Sequence, residues 1–182
     1  KANIFTKKYR YYIKGAADKP HYPDEPRFPV SNISYDAAVL YCQWLTENYN
    51  NTIKRKNKKV VFRLPSEQEW ELAAKGGTNA EEYPWAYSIP VEKYPHSMGP
   101  ANMNDCFLAN YYAIQDDPSA DGGFFTVWVD SYWPNNFEYY NMVGNVAEMI
   151  SEKGKAKGGS FAQAPENCTI KSVQTYSKKE AW

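Results

Sequence analysis

Histidine and cysteine are scarce in this chain, at two and three residues among 182. With only His21 and His96, a His-rich zinc or iron centre is not expected. Cys42, Cys106 and Cys168 are too widely spaced for a CxxC zinc pattern, and their odd number does not make a disulfide framework. No apolar run is long enough to cross a bilayer, so no transmembrane segment is expected in this chain. An excess of charge of either sign is also missing: Lys+Arg and Asp+Glu are both 21, which removes any global field that would draw nucleic acid or an anionic membrane. No signal peptide is readable from Lys1 onward, and a processed or truncated start stays open.

What the chain has in quantity is aromatic residues, 16% of the total with 16 Tyr and 6 Trp, alongside a mean hydropathy of -0.72. That balance predicts one loop-rich domain over residues 1–182, in which large rings bridge irregular backbone. Pro20, Pro23, Pro26 and Pro29 predict an extended start. Ser34 is an N-cap, Asp36 suits a first turn, and Ala37, Leu40, Tyr41, Trp44 and Leu45 recur at helical spacing, which predicts a helix over about 35–49. Within it Cys42 is expected to be a buried small hydrophobe rather than a catalytic thiol. The basic run Lys54–Lys59 carries no interleaved aromatic residue and reads as a solvated loop, not a nucleic-acid surface. Val60–Leu64 is strand-like and stops at Pro65; Ser66 and Glu69 then form a capping box for a helix over about 67–75, ended by Gly76 and Gly77.

Between Thr78 and Asn136 regular patterning disappears except for a β-like run at Phe124–Val129. Such a stretch in a compact domain points to organisation by function or by bound ions, and Asn110, Asp116, Asp117 and Asp121 supply oxygen donors within it. A solvated acidic turn at Asp116-Asp117-Pro118 is the alternative. Short strands are predicted around 146–151, 155–161 and 168–174. The run Asn141-Met142-Val143-Gly144-Asn145-Val146-Ala147-Glu148-Met149 admits two readings. It can be an ion loop that converges backbone carbonyls with the side chains of Asn141 and Glu148, or a hairpin with Gly144 and Asn145 at positive φ and Glu148 in solvent.

Five landmarks occur in a familiar order: Ser34-Tyr35-Asp36-Ala37-Ala38, then Arg63-Leu64-Pro65-Ser66-Glu67-Gln68-Glu69-Trp70 through Gly77, then Tyr83-Pro84-Trp85, Met142-Val143-Gly144-Asn145-Val146-Ala147-Glu148 and Lys157-Gly158-Gly159-Ser160-Phe161. From about Pro29 to Trp182 the chain resembles the formylglycine-generating enzyme, or sulfatase-modifying factor, family. The resemblance implies an α+β fold, a C-type-lectin-like variant with little regular structure, two helices and short twisted antiparallel strands. It also implies calcium at two sites, one built on Asn141, Gly144, Val146 and Glu148 and the other on Asn110, Tyr111, Asp121 and Gly123, and it favours the ion-loop reading of 141–149. By the same resemblance the chain is expected to be incomplete at both ends.

Enzymes of this family oxidise a substrate-peptide cysteine to formylglycine with copper(I) held by two cysteines after the Gly-Gly-Ser motif. By resemblance Ser160 is the family serine and Cys168 the second cysteine, while the first position is Gln163, and an amide is a poor ligand for a soft cation. Ala147 also replaces the family's usual aromatic residue. The expected function is therefore a calcium-stabilised binding or structural module that recognises a peptide, protein or glycan, in an extracytoplasmic setting, alone or as part of a larger protein or complex. The alternative is a working oxidase, with Cys168 and Ser160 catalytic and copper(I) bound, or a relative with other oxygen chemistry.

Overall fold

The computed structural model describes residues 27–53, 58–85, 108–112, 121 and 123–177. Expectations for Pro20, Pro23, Pro26, His21, His96, Cys106, Asp116, Asp117 and most of the basic run lie outside them. Two helices come first, α1 (Tyr35–Asn51) and α2 (Glu67–Lys75). A three-stranded antiparallel sheet in the order β1-β2-β3 follows, built from Glu148–Met149, Lys155–Lys157 and Val173–Thr175. Register pairs Glu148 with Lys157 and Lys157 with Val173.

Each helix begins where its side chains satisfy the free amides of the first turn. Ser34 Oγ accepts from Ala37 N at the start of α1. At α2 the capping box forms in both directions, with Glu69 N donating to Ser66 Oγ and Ser66 N donating to Glu69 Oε2. Gly76, at φ +58, turns the chain out of α2 in the left-handed region. A side chain from far along the sequence completes that cap: Asn135 Nδ2 donates to Ala73 O at 2.7 Å and to Ala74 O at 3.1 Å.

The core is split in two. One cluster joins Trp70, Ala74, Ala80, Met142, Ile150 and Ile170; the other joins Trp85, Leu108, Ala109, Tyr111, Val143 and Cys168. Neighbours Met142 and Val143 enter different clusters, so the 141–145 loop is the wedge between them. Trp70 is the large ring of the first cluster at 2% exposure. Truncating a core ring of this size costs on the order of 3–5 kcal/mol.

Three expectations need correction. Cys42 is only half-buried, because α1 fully buries Ala38 alone and leaves Leu40 and Tyr41 about half exposed. The three strands are shorter than their apolar patterns: positive φ at Gly158 and Gly159 ends β2, and residues 165–172 fold as a 3₁₀ turn and a tight bend before β3. The strand-like runs at 60–64 and 124–129 enter no sheet among the described residues. Side chains stand in for the missing neighbours. Val60 N donates to Asn50 Oδ1 while Asn50 Nδ2 donates to Val60 O, and Phe62 N donates to Thr46 Oγ1. One primary amide thus reproduces the donor and acceptor pair of a ladder rung.

Candidate functional site

Two loops and the segment that joins them form the candidate site. In the first loop Asn110, Tyr111, Asp121 and Gly123 are all buried and mutually connected. Tyr111 N donates to Asp121 Oδ2, and Gly123 N donates to Asp121 Oδ1 at 2.9 Å. Asn110 Nδ2 donates to Phe125 O at 2.7 Å, yet Asn110 Oδ1 is buried without a hydrogen-bond donor among the described residues. A Cβ on Gly123 would lie 3.0 Å from that oxygen, so the glycine leaves room beside it.

The second loop curls through three left-handed residues, Asn141 (φ 49), Gly144 (φ 74) and Asn145 (φ 60). Its positive φ values at Gly144 and Asn145 are those of the hairpin alternative, but Glu148 does not face open solvent. Glu148 Oε2 accepts from Trp70 Nε1 at 2.6 Å, and desolvation raises the carboxyl pKa against the lowering effect of that hydrogen bond. Asn141 Nδ2 donates to Trp128 O and Val129 O, and Asn141 Oδ1, like that of Asn110, is buried with no donor among the described residues. Val146 and Gly144 lie along the same curl, and Gly144 is required there, because a Cβ would overlap the Asn110 carbonyl.

Asn145 welds the two loops together. Its amide exchanges hydrogen bonds with Val127, accepting from Val127 N at 2.9 Å and donating to Val127 O at 3.2 Å. Its backbone N donates to Asn110 O at 2.7 Å, and its backbone O accepts from Phe161 N at 3.0 Å. The pattern of the sequence marks Asn145 only as a turn residue; its Asn-at-positive-φ signal could have flagged it, but its partners are 18 and 35 residues away.

The Ser160–Cys168 segment docks on both loops, with Tyr112 N donating to Gln163 O and Phe161 N to Asn145 O. Cys168 is fully buried as a free thiol, its Sγ 3.6 Å from Ser160 O and 3.8 Å from Gln163 O. Burial pushes that thiol up to about 12, against the small lowering effect of the Ser160 backbone. The Gln163 side chain points elsewhere, its Oε1 accepting from Ser160 Oγ at 3.3 Å. Ser160, Gln163 and Cys168 are thus together, with one sulfur among them.

Metal chemistry follows from these donors. Among the described residues no group of three or more His, Cys, Asp or Glu side chains could hold a metal ion. Any hard cation held by the described residues would therefore combine at most a carboxylate or two with amide and backbone carbonyl oxygens, and the first loop has the ingredients: the Asp121 carboxylate, Asn110 Oδ1 without a donor among the described residues, and the Tyr111 and Gly123 carbonyls. The second loop contributes Asn141 Oδ1 and the Gly144 and Val146 carbonyls, but its carboxylate, Glu148, is engaged by Trp70. A two-thiolate copper(I) centre does not fit the Ser160–Cys168 segment, which has one thiol, held protonated.

The model of the sulfatase-modifying factor enzyme 1-like domain matches residues 6–180. The chain belongs to this family. A formylglycine-generating enzyme of Thermomonospora curvata is 30% identical over 129 residues, covering 71% of this sulfatase-modifying-factor domain and 35% of the relative. A Bos taurus protein named inactive C-alpha-formylglycine-generating enzyme 2 is 28% identical over 131 residues, covering 71% of this chain and 34% of its own length. The domain thus spans about a third of the length of these curated relatives. Among solved structures, PvdO from Pseudomonas aeruginosa superposes with a TM-score of 0.65 at 22% identity, over 90% of this chain and 61% of that one, which establishes the shared fold. Among the described residues no helix is long and apolar enough to cross a membrane.

Proposed function

We propose that this sulfatase-modifying-factor domain is a calcium-stabilised recognition module that has lost the oxidase chemistry of its family, with a C-type-lectin-like fold and an extracytoplasmic setting. The observation that carries the reading is the state of Cys168. Copper(I) oxidation of a cysteine needs two soft thiolates, and the one thiol of the 160–168 segment is buried, protonated and faced by a glutamine turned toward Ser160. Relatives named formylglycine-generating enzyme and inactive C-alpha-formylglycine-generating enzyme 2 both align with this chain, so membership alone does not decide between the two readings.

Calcium is supported by the two buried amide oxygens, Asn110 Oδ1 and Asn141 Oδ1, that lack donors among the described residues, since an orphaned buried acceptor costs about 1–3 kcal/mol unless a cation or water satisfies it. Asn110, Tyr111, Asp121 and Gly123 would hold one ion; Asn141, Gly144 and Val146 would hold the other, with Glu148 only if it turns from Trp70. Bound calcium would supply positive charge that fixes both loops, and with them the exposed aromatic residues Phe124, Phe125 and Phe137 from which a peptide, protein or glycan surface would be read.

Two measurements test this. Mass spectrometry of a sulfatase-type cysteine peptide, incubated with the domain, Cu(I), oxygen and a thiol reductant beside a known active enzyme, should find the peptide unchanged; formylglycine would restore the oxidase reading, with Cys168 and Ser160 catalytic. Thermal unfolding should shift upward with calcium, by about 2.7 kcal/mol of added stability for each site at a hundredfold excess over its Kd. Asp121→Asn should abolish the first loop's share of that increment, and an unchanged increment would remove the first-loop assignment.

A further inference from the structure

The extended segment at 60–64 has one bonded edge and one bare edge among the described residues. Side chains of α1 hold the first. Asn50 takes both backbone groups of Val60, and Thr46 Oγ1 accepts from Phe62 N at 2.8 Å and lies 3.3 Å from Phe62 O. Backbone groups of an extended chain alternate from side to side, so those of Val61, Arg63 and Pro65 point away from α1. Pro65 O is already used on that side, accepting from Ser151 N at 2.7 Å, two residues beyond β1. Just before it on the same edge, the backbone groups of Val61 and Arg63 make no hydrogen bond among the described residues. Val61 is 78% exposed, so this stretch of edge is open to approach.

A cleft of about 590 Å³ runs beside it, within the size range of ligand sites. The 61–65 segment is one wall, α2 contributes Trp70, and Tyr139 and Tyr140 stand on the other side. Arg63 and Glu69 neutralise each other there through a two-pronged pair, Nη1 to Oε2 at 2.7 Å and Nη2 to Oε1 at 2.6 Å. The remaining charged group, Glu148, is already assigned to Trp70 Nε1 and to the second ion loop. What is left is a ladder edge beside an aromatic trough whose rim pair carries no net charge. Another extended backbone offers donors and acceptors at the two-residue repeat of Val61 and Arg63, whereas a glycan or a helical surface does not. Tyr139 and Tyr140, 50% and 41% exposed, give alternate side chains of such a strand a ring face to lie on. The wall from 61 to 65 is about 14 Å long, the length of four or five strand residues.

We propose that this face binds an extended peptide segment of another protein, added as a strand to Val61 and Arg63, with uncharged apolar side chains at alternate positions in the cleft. The site continues the backbone pairing that Pro65 and Ser151 begin. It goes beyond the recognition surface of Phe124, Phe125 and Phe137, and it requires neither calcium site, so the two readings can fail separately.

The test begins with amide exchange of the free domain in saturating calcium. Val60 and Phe62 amides should be protected, and those of Val61 and Arg63 should exchange at least about tenfold faster; the reverse order would overturn the bare edge. The domain is then titrated with acetylated hexapeptide amides in which threonine alternates with valine, leucine or tyrosine. At least one should bind saturably, bringing amide protection to Val61 and Arg63. That peptide is remade with N-methyl groups on one or the other alternate set of its amides. Methylating the set that faces the domain should weaken binding about tenfold or more, while the other set should leave it within about twofold. Equal effects of the two patterns would mean that the backbone is not read, and failure of every peptide to saturate at millimolar concentration would mean that no strand is added; either overturns the proposal. Val61→Pro deletes an N–H that has no partner and suits an extended backbone, so it should keep the fold by circular dichroism and weaken the peptide about tenfold, while Val61→Thr should bind as wild type. Undiminished binding to a folded Val61→Pro would overturn the site. If that variant unfolds, the paired N-methyl peptides decide on the wild-type domain alone.

Discussion

Replacing Asn145 probes the joint on which the candidate site is built. Its side chain is 2% exposed as a residue and makes two hydrogen bonds with Val127, at 2.9 and 3.2 Å, while its backbone sits at φ 60. Glycine adopts that φ without strain, so Asn145→Gly removes the side-chain clamp alone. Val127 is half-buried, and water can reach part of what is lost. Two hydrogen bonds at about 1–2 kcal/mol each give an expected loss of roughly 2–4 kcal/mol. Asn145→Ala adds the left-handed cost of about 1–2 kcal/mol, for roughly 3–6 kcal/mol in all. For a domain of this size each kcal/mol lowers Tm by about 2–4 °C, so glycine should cost roughly 4–16 °C and alanine several degrees more. The assay is thermal unfolding by circular dichroism, with calcium and with chelator. If Asn145→Gly unfolds within a degree of wild type, side-chain amides do not substitute for a sheet neighbour here, and the account of how the loops are joined is wrong. If glycine and alanine cost the same, the left-handed backbone is not a constraint at this position.

Cys168 should be inert in the folded domain. Its pKa is raised from an ordinary 9.0 to about 12, so native alkylation by iodoacetamide at pH 8 should be at least tenfold slower than in denaturant, as read by mass spectrometry of the 168 peptide. Fast native alkylation would contradict the burial. The folded state also keeps this proton where the unfolded chain has lost it, so the stabilisation is fully present below pH 9 and is lost as pH rises toward about 12; Cys168→Ser should flatten the fall of stability across that window. Lys157→Met retains the buried stem but strands Glu67 and Glu71, whose side chains are 38% and 29% exposed and can partly rehydrate. A loss of about 1–3 kcal/mol is expected by chemical denaturation, and adding Glu71→Gln should cost less in Lys157→Met than in wild type. Additive losses would show that the buried ion pair is not coupled.

The two helices were legible because their signals are local. Ser34 and Ser66 lie one residue before their helices, the capping partners are three residues apart, and Gly76 stands at the exit. The family motifs were legible for a related reason, since Arg63–Gly77 and Lys157–Phe161 are contiguous in the chain. The strand lengths were less so, because apolar runs at 60–64 and 124–129 carry strand character without a partner strand, and the sequence does not say which partner they find. Helix α1 likewise carries an apolar pattern whose burial stops at Ala38.

Within the site, the residue types came from the sequence and their assembly from the fold. Asn110, Asp121, Asn141 and Glu148 are readable as oxygen donors, and Gln163 beside Cys168 is readable as the absence of a thiol pair. By itself, then, the sequence determined the two helices, the family and the chemical inventory, because capping, turn chemistry and motif spacing act over a few residues. The tertiary structure alone decided that Asn145 pairs with Val127, that Asn135 closes α2, that Glu148 turns to Trp70 and that Cys168 is sealed from solvent. Those outcomes rest on hydrogen bonds and contacts between segments 18 to 78 residues apart, whose geometry is set only when the two core clusters close around the 141–145 loop.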